Sequence, residues 1–192
     1  MRLGKVAIAP FSRNRHATAV AEEQSGSFAG PVPKGERGEI VAGAHLPIES
    51  SVELEMPVEE LWETFLDVER WPRWNPCIWR SRVRGGELRE GATLAWVFNP
   101  IKPWYPYKLP ARAEIVELQR HDRVTWEVNA PGFHALHSYR FAALGPGRCR
   151  FGSWEVAEGR AYRVTRRFWL AHFRYVCRAS LTGAKALAAH RR

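Results

Sequence analysis

From residue 48 onward the chain reads as a succession of short periodic segments. Between Ile48 and Met56, Ser50, Val52, Leu54 and Met56 alternate with Glu49, Ser51, Glu53 and Glu55. This period-two pattern predicts a half-buried strand. The next stretch, PVEELWETFLDVERWPRWNP, changes period: Val58, Leu61, Trp62, Phe65 and Leu66 fall on one face of a helix. Pro57 suits its first position, and Glu59 and Glu60 suit the positive end of its dipole. Asp67 ends it beside a second short turn, and Pro72 and Pro76 block a longer continuation.

Strand patterns then run over about 78–84, 92–98, 107–119, 123–129, 133–144 and 148–158. The turn signals between them are Gly85-Gly86, the proline-rich NPIKPWYP, Arg120-His121-Asp122, Ala130-Pro131-Gly132 and Gly145-Pro146-Gly147. Connections this short favour antiparallel hairpins. After Gly159 about 30 residues follow without proline, predicting one long helix. Its apolar line is read as Val164, Phe168, Ala171, Tyr175 and Ala179, widened by Trp169, Phe173, Val176, Cys177, Ser180 and Leu187. Gly183 is expected to weaken or bend it. Such a helix needs a broad partner, and the sheet is the broad partner available. The order predicts an α+β fold: a curved antiparallel sheet of about seven strands around a long C-terminal helix, two short helices following the first strand, and a space between sheet and helix.

Residues 1–45 read differently. Gln24 to Gly43 is rich in Gly, Ser and Pro and has few large apolar residues, as in a flexible tail. The first 21 residues carry Arg2, Lys5, Arg13 and Arg15 without an acid, a faint transit-peptide signal. A disordered or mis-started segment is the expectation, with residues 46–192 as the domain.

Composition narrows the classes. Among 192 residues 45% are apolar and nine are Trp, enough for a substantial core. No apolar run of membrane-spanning length occurs. Cys77, Cys149 and Cys177 are odd in number and widely spaced, which argues against a disulfide framework and a cysteine zinc site; a cytoplasmic setting is the expectation. The net charge of +9 lies wholly at the C-terminal end. From Gly159 onward there are Arg160, Arg163, Arg166, Arg167, Arg174, Arg178, Lys185, Arg191 and Arg192, and no acid. This field suits weak contact with an anionic membrane surface or an acidic protein; a solvated helix face is the alternative. Nucleic acid is not expected, because the helix needs its apolar face for the sheet.

The run EMPVEELWETFLDVERWPRWNP resembles the opening of the START/Bet v 1-like (SRPBCC) superfamily, especially its polyketide cyclase/dehydrase and lipid transport branch. The residues carrying the likeness are Pro57, Glu59, Trp62, Asp67, Trp71, Pro72, Trp74, Asn75 and Pro76, then Trp126 with Pro131-Gly132, and the later GPGRCRFGSWEVAEG. The resemblance covers about Leu46 to Ala188. It implies a helix-grip fold with an internal cavity, in a family that holds both ligand carriers and cyclases, so it does not by itself imply an activity.

Trp71 and Trp74 either line the cavity mouth or plug one end of the sheet; the motif tracks fold, which favours the plug. His134 and His137 lie three apart on a predicted strand, point to opposite faces and so cannot share a metal. His137 falls on the inward face with Tyr139, either as an acid–base pair or as a hydrogen-bonded polar spot. Glu155 shares a face with Phe151 and Ser153, as a general base or ligand anchor, or paired with Arg112 or an arginine of the closing helix; pairing is the favoured expectation. No phosphate loop, nucleophile elbow or metal motif is present, so no cofactor is expected. NPIKPWYPYKLP places Trp104, Tyr105 and Tyr107 over a ligand entrance, at an interface, or packed on the domain surface. The leading expectation is binding or transport of an apolar ligand, of lipid, isoprenoid or polyketide-like chemistry. Its wall would comprise Trp71, Trp74, Trp96, Phe98, Trp126, His137, Tyr139, Phe151, Glu155, Trp169 and Phe173. The alternative is a polyketide cyclase/dehydratase-type enzyme with His137, Tyr139 and Glu155 moving protons.

Overall fold

The computed structural model describes residues 47–102 and 104–190. The expected tail, and with it the transit-peptide reading, lies outside the described residues. Strand β1 (Ile48–Leu54) is followed by α1 (Val58–Leu66), a 3-10 turn (Val68–Arg70) and α2 (Trp71–Trp74). Strands β2 (Ile78–Arg84), β3 (Thr93–Phe98), β4 (Leu109–Gln119), β5 (Arg123–Ala130), β6 (Phe133–Gly145) and β7 (Arg148–Glu158) lead to α3 (Arg160–Ala189). Pro57 is the N-cap of α1 rather than its first helical residue, because its ψ of 144° is extended.

All pairings are antiparallel, in the order β1-β7-β6-β5-β4-β3-β2. The meander β2 to β7 is thus closed by β1 at the far edge, and the α1–α2 segment carries the chain from one edge to the other. Register shifts at Ile78/Arg80, Ile115/Glu117 and Ala143/Gly145 interrupt the ladders. Such irregularities add bend and twist, which curves the sheet.

The core gathers at the α1 end. Val58, Leu61, Trp62 and Phe65 are the buried face of α1. Phe65 lies 5.1 Å from Tyr139 and 5.2 Å from Phe141 between ring centroids, and Trp62 lies 5.1 Å from Phe141. Helix α3 packs on β1, β7 and β6 and on α2. Its coverage is therefore lopsided, and among the described residues no helix lies directly on the inner surface of β3–β5.

The buried face of α3 differs from the expected line. Val164 is 87% exposed, and Phe168 and Ala171 are also exposed. Of the expected line Ala179 is buried and Tyr175 half-buried, but burial otherwise runs through Tyr162, His172, Phe173, Val176, Cys177, Ser180, Leu181, Ala184 and Ala188. The residues read as widening the stripe form its centre, since they hold the sheet side once α3 docks on β1 and β7. Nor does Gly183 bend the helix; the non-helical residue is Thr165, with φ −104° and ψ 17°. Gly183 serves contact, because a Cβ there would run into the Trp74 carbonyl and Pro76. Gly159, at φ +108°, lets the start of α3 meet the β5–β6 turn, where the Ala161 amide donates to the Gly132 carbonyl at 2.7 Å. Among the described residues no helix is long and apolar enough to cross a membrane.

Candidate functional site

Between α3 and the uncovered half of the sheet lies a cavity of about 850 Å³. Strand alternation sends Trp96 and Phe98 of β3, Trp126 of β5, and His137 and Tyr139 of β6 inward. Trp71 and Trp74 of α2, Glu155 of β7, and Trp169, His172 and Phe173 of α3 complete much of the wall. Trp126 sits at its centre, 5.9 Å from Trp71, 5.8 Å from Trp96 and 4.9 Å from His137 between ring centroids. The expected choice between wall and plug for the tryptophans dissolves. Trp71 donates its indole N–H to the Phe65 carbonyl at 2.7 Å, bracing α2 on α1, while its ring also faces the cavity.

Ten of the eleven residues proposed from sequence stand on this wall. Phe151 does not: it is fully buried in the core, stacked on Tyr139 at 5.2 Å. It shares the inward face of Glu155, but four residues along a strand is about 13 Å, and that distance takes it from cavity to core.

His134 and His137 point apart as expected. His134 lies between Glu127 (2.9 Å) and Glu158 (3.4 Å) on the outer side, half-exposed. His137 is buried, with Nε2 3.0 Å from the Ser153 hydroxyl and Nδ1 3.4 Å from Glu155 Oε2. The latter pair is close but not aligned as a hydrogen bond, and Oε2 has no hydrogen-bond partner. The expected arginine pairing of Glu155 does not form among the described residues: the group beside its carboxylate is the His137 ring. Arg112 is exposed, alternating on β4 with Ala111 and Ala113; it touches the cavity lining but makes no ion pair with Glu155.

Tyr139 ends in a network that sequence reading missed. Its hydroxyl donates to Ser180 Oγ at 2.7 Å, Asn75 Nδ2 donates to the same oxygen at 3.0 Å, and Ser180 donates to the Val176 carbonyl at 2.8 Å. Asn75 Oδ1 accepts from the Cys77 amide at 3.2 Å and its thiol at 3.0 Å. One asparagine and one serine thus tie α2, α3 and the sheet together. Burial pushes the Tyr139 phenol well above its ordinary pKa and the Cys77 thiol up to about 12, so both stay protonated and Cys77 is not a nucleophile.

His172 was also missed. It is 1% exposed and edge-on to Phe98 at 4.6 Å, and burial moves its pKa down to about 4. The available signal was its place beside Phe173, four residues before Val176, on the face that docks. Among the described residues no group of three or more His, Cys, Asp or Glu could hold a metal ion.

Comparison with known proteins agrees with this architecture. The aromatase/cyclase ZhuI from Streptomyces sp. R1128 superposes with a TM-score of 0.64 at 15% identity, covering 77% of this chain and 95% of that one. Major latex-like protein 151 from Panax ginseng gives 0.59 at 14% identity, covering 79% and 99%. Truncated norcoclaurine synthase from Thalictrum flavum gives 0.53 at 12% identity, covering 77% and 96%. These likenesses establish the helix-grip fold. A search of curated proteins finds no match. The family model described as "Polyketide cyclase / dehydrase and lipid transport" matches residues 45–190, and the chain belongs to that family.

Proposed function

We propose that the chain binds and carries an apolar small molecule, of lipid, isoprenoid or polyketide-like chemistry, between the sheet and α3. The observation that carries this reading is the wall itself: Trp71, Trp96, Phe98, Trp126, Trp169 and Phe173 surround a space of about 850 Å³. That volume lies within the range of pockets that enclose a small ligand. The test is native mass spectrometry of protein purified from its own host, followed by organic extraction. A co-purifying apolar compound is expected; it should be lost in Ala135→Trp, whose indole would fill the cavity from β6. Failure of apolar compounds to bind, together with an empty native protein, would end this reading.

A second reading is favoured by the nearness of His137 and Glu155. A neutral imidazole there would accept a proton from an enolisable methylene, with the carboxylate balancing the imidazolium charge, as a cyclase or dehydratase requires. Tyr139 would contribute its ring rather than its proton, its hydroxyl being held by Ser180. Saturable turnover of a poly-β-keto substrate, abolished by His137→Ala or Glu155→Gln, would establish it; changed affinity without turnover belongs to the carrier.

We place delivery at an anionic surface. Arg163, Arg167, Arg174 and Arg178 are exposed on α3, and the exposed Val164 and Phe168 lie among them. Trp104, 72% exposed, and Tyr105 project from the β3–β4 loop. Cations beside exposed apolar groups suit the interface of an anionic bilayer.

A further inference from the structure

His172 occupies an unusual place for an imidazole. Phe168 stacks on it at 5.9 Å with 9° between planes, while Phe98 at 4.6 Å and Trp169 at 5.8 Å meet it edge-on. Neither ring nitrogen has a hydrogen-bond partner among the described residues, although the residue lines the cavity. A neutral imidazole offers one donor and one acceptor, and native proteins rarely leave such groups buried and unmatched. Two more cavity-lining groups lack a hydrogen-bond partner among the described residues: Trp74 Nε1 on α2, and Glu155 Oε2 on β7, which has only the unaligned His137 ring 3.4 Å away. A hydrocarbon would fill the space and leave all three unmatched.

We infer that His172 is a hydrogen-bonding anchor for an uncharged hydroxyl or carbonyl oxygen on an aromatic ligand. The class is an oxygenated ring system, such as a phenol, enol or quinone, rather than a plain hydrocarbon. The aromatic character follows from the rings that cage the anchor. The ligand oxygen at the anchor is uncharged, since burial holds the imidazole uncharged at ordinary pH and it cannot balance a carboxylate there; the cations of the lining, Arg112 and Arg160, stand elsewhere on the wall. Oxygens on other parts of the ligand would meet Trp74, a donor, and Glu155, an acceptor when ionised. Both nitrogens are screened in the empty protein, so engagement requires the His172 ring to turn within its cage toward the cavity. This assignment rests on the cavity being the binding site, and adds which atoms it recognises.

The test compares 2-naphthol with naphthalene, two bicyclic probes that differ by one hydroxyl. Binding to the full chain is followed by quenching of tryptophan fluorescence, in wild type and in His172→Phe, which keeps a ring but removes both nitrogens. In wild type 2-naphthol should bind about 3- to 10-fold tighter than naphthalene. In His172→Phe that preference should vanish while naphthalene still binds. A histidine-selective ¹H–¹⁵N correlation on wild type guards against a variant that fails to fold: 2-naphthol should shift the His172 ring nitrogens, and naphthalene should not. Equal affinities in wild type, a preference that survives the substitution, or unmoved ring nitrogens would overturn the anchor while leaving the cavity reading standing. If neither probe binds, the cavity reading falls and the anchor with it.

Discussion

Gly183→Ala separates two opposing effects of one methyl group. In an exposed helix interior, alanine is worth about 1 kcal/mol over glycine. Gly183, however, is buried where α3 presses on α2. A Cβ there would run into the Trp74 carbonyl and stand 3.1 Å from Pro76 Cδ. Both obstacles belong to stiff chain and cannot swing aside as a side chain would. Overpacking of this kind costs about 1–3 kcal/mol, and backbone obstruction puts it near the upper end. Subtracting the helix gain leaves a net loss of about 2 kcal/mol, or roughly 6–8 °C in midpoint for a domain of this size. Far-UV circular dichroism during urea and thermal unfolding reads it directly, with the exposed neighbour Thr182→Ala as control, expected within about 0.5 kcal/mol of wild type. Because Trp74 and Asn75 both line the cavity, the displaced α2 should also weaken binding of apolar probes. A Gly183→Ala protein as stable as wild type, or more so, would refute the packing argument.

Three further outcomes follow from named contacts. Burial lowers the His172 pKa to about 4, so the unfolded chain takes up a proton first and stability is lost as pH falls from about 6.5 to 4. The loss amounts to roughly 3 kcal/mol in all; urea titrations across that window should show His172→Phe lacking this share. Ser180→Ala removes the acceptor of both Tyr139 and Asn75 and should cost about 2–3 kcal/mol, against a smaller loss for Tyr139→Phe, which leaves Ser180 bonded to Asn75 and Val176; equal losses in chemical denaturation would contradict the network. Co-sedimentation with phosphatidylserine vesicles should be weak, strongly salt-dependent and abolished by the double change Arg167→Glu with Arg174→Glu, with the unfolding midpoint retained; no binding at low salt would reduce the stripe to a solvated face.

Strands such as β3 were legible because one face is drier than the other, whereas β6 and β7, buried on both faces in their middles, were bounded by their turn signals. Ile78–Arg84 begins and ends where the alternation did, while β4 starts at Leu109, later than the expected 107, because the proline-rich loop runs on through Lys108. The length of α3 was legible too, but its rotation was not. Val164 and Phe168 are as apolar as Phe173 and Val176, and composition cannot say which pair meets the sheet. Docking on β1 and β7 decided it, and with it the burial of His172. For Glu155 and Phe151, parity gave the inward face but not the position along the strand, which separates cavity from core. The Asn75–Ser180 bond joins residues 105 apart; no local pattern announces such a pair.

The polar atoms of the interior fall into two groups, one matched within the protein and one not. Tyr139, Ser180, Asn75 and Cys77 share hydrogen bonds between 2.7 and 3.2 Å, joining three elements. Buried networks satisfied in this way fix one arrangement of the parts. Glu155 Oε2, Trp74 Nε1 and the nitrogens of His172 have no hydrogen-bond partner among the described residues, though equally screened from solvent. Polar groups left unmatched raise the free energy of the empty protein, and a ligand that matched them would lower that of the complex. The same deficit therefore acts twice: it weakens the apo fold slightly, and it makes the hold on an oxygenated ligand stronger than apolar contact alone would give. An occupied protein should consequently unfold at a higher temperature than an empty one, by more for 2-naphthol than for naphthalene at concentrations scaled to equal apolar contact.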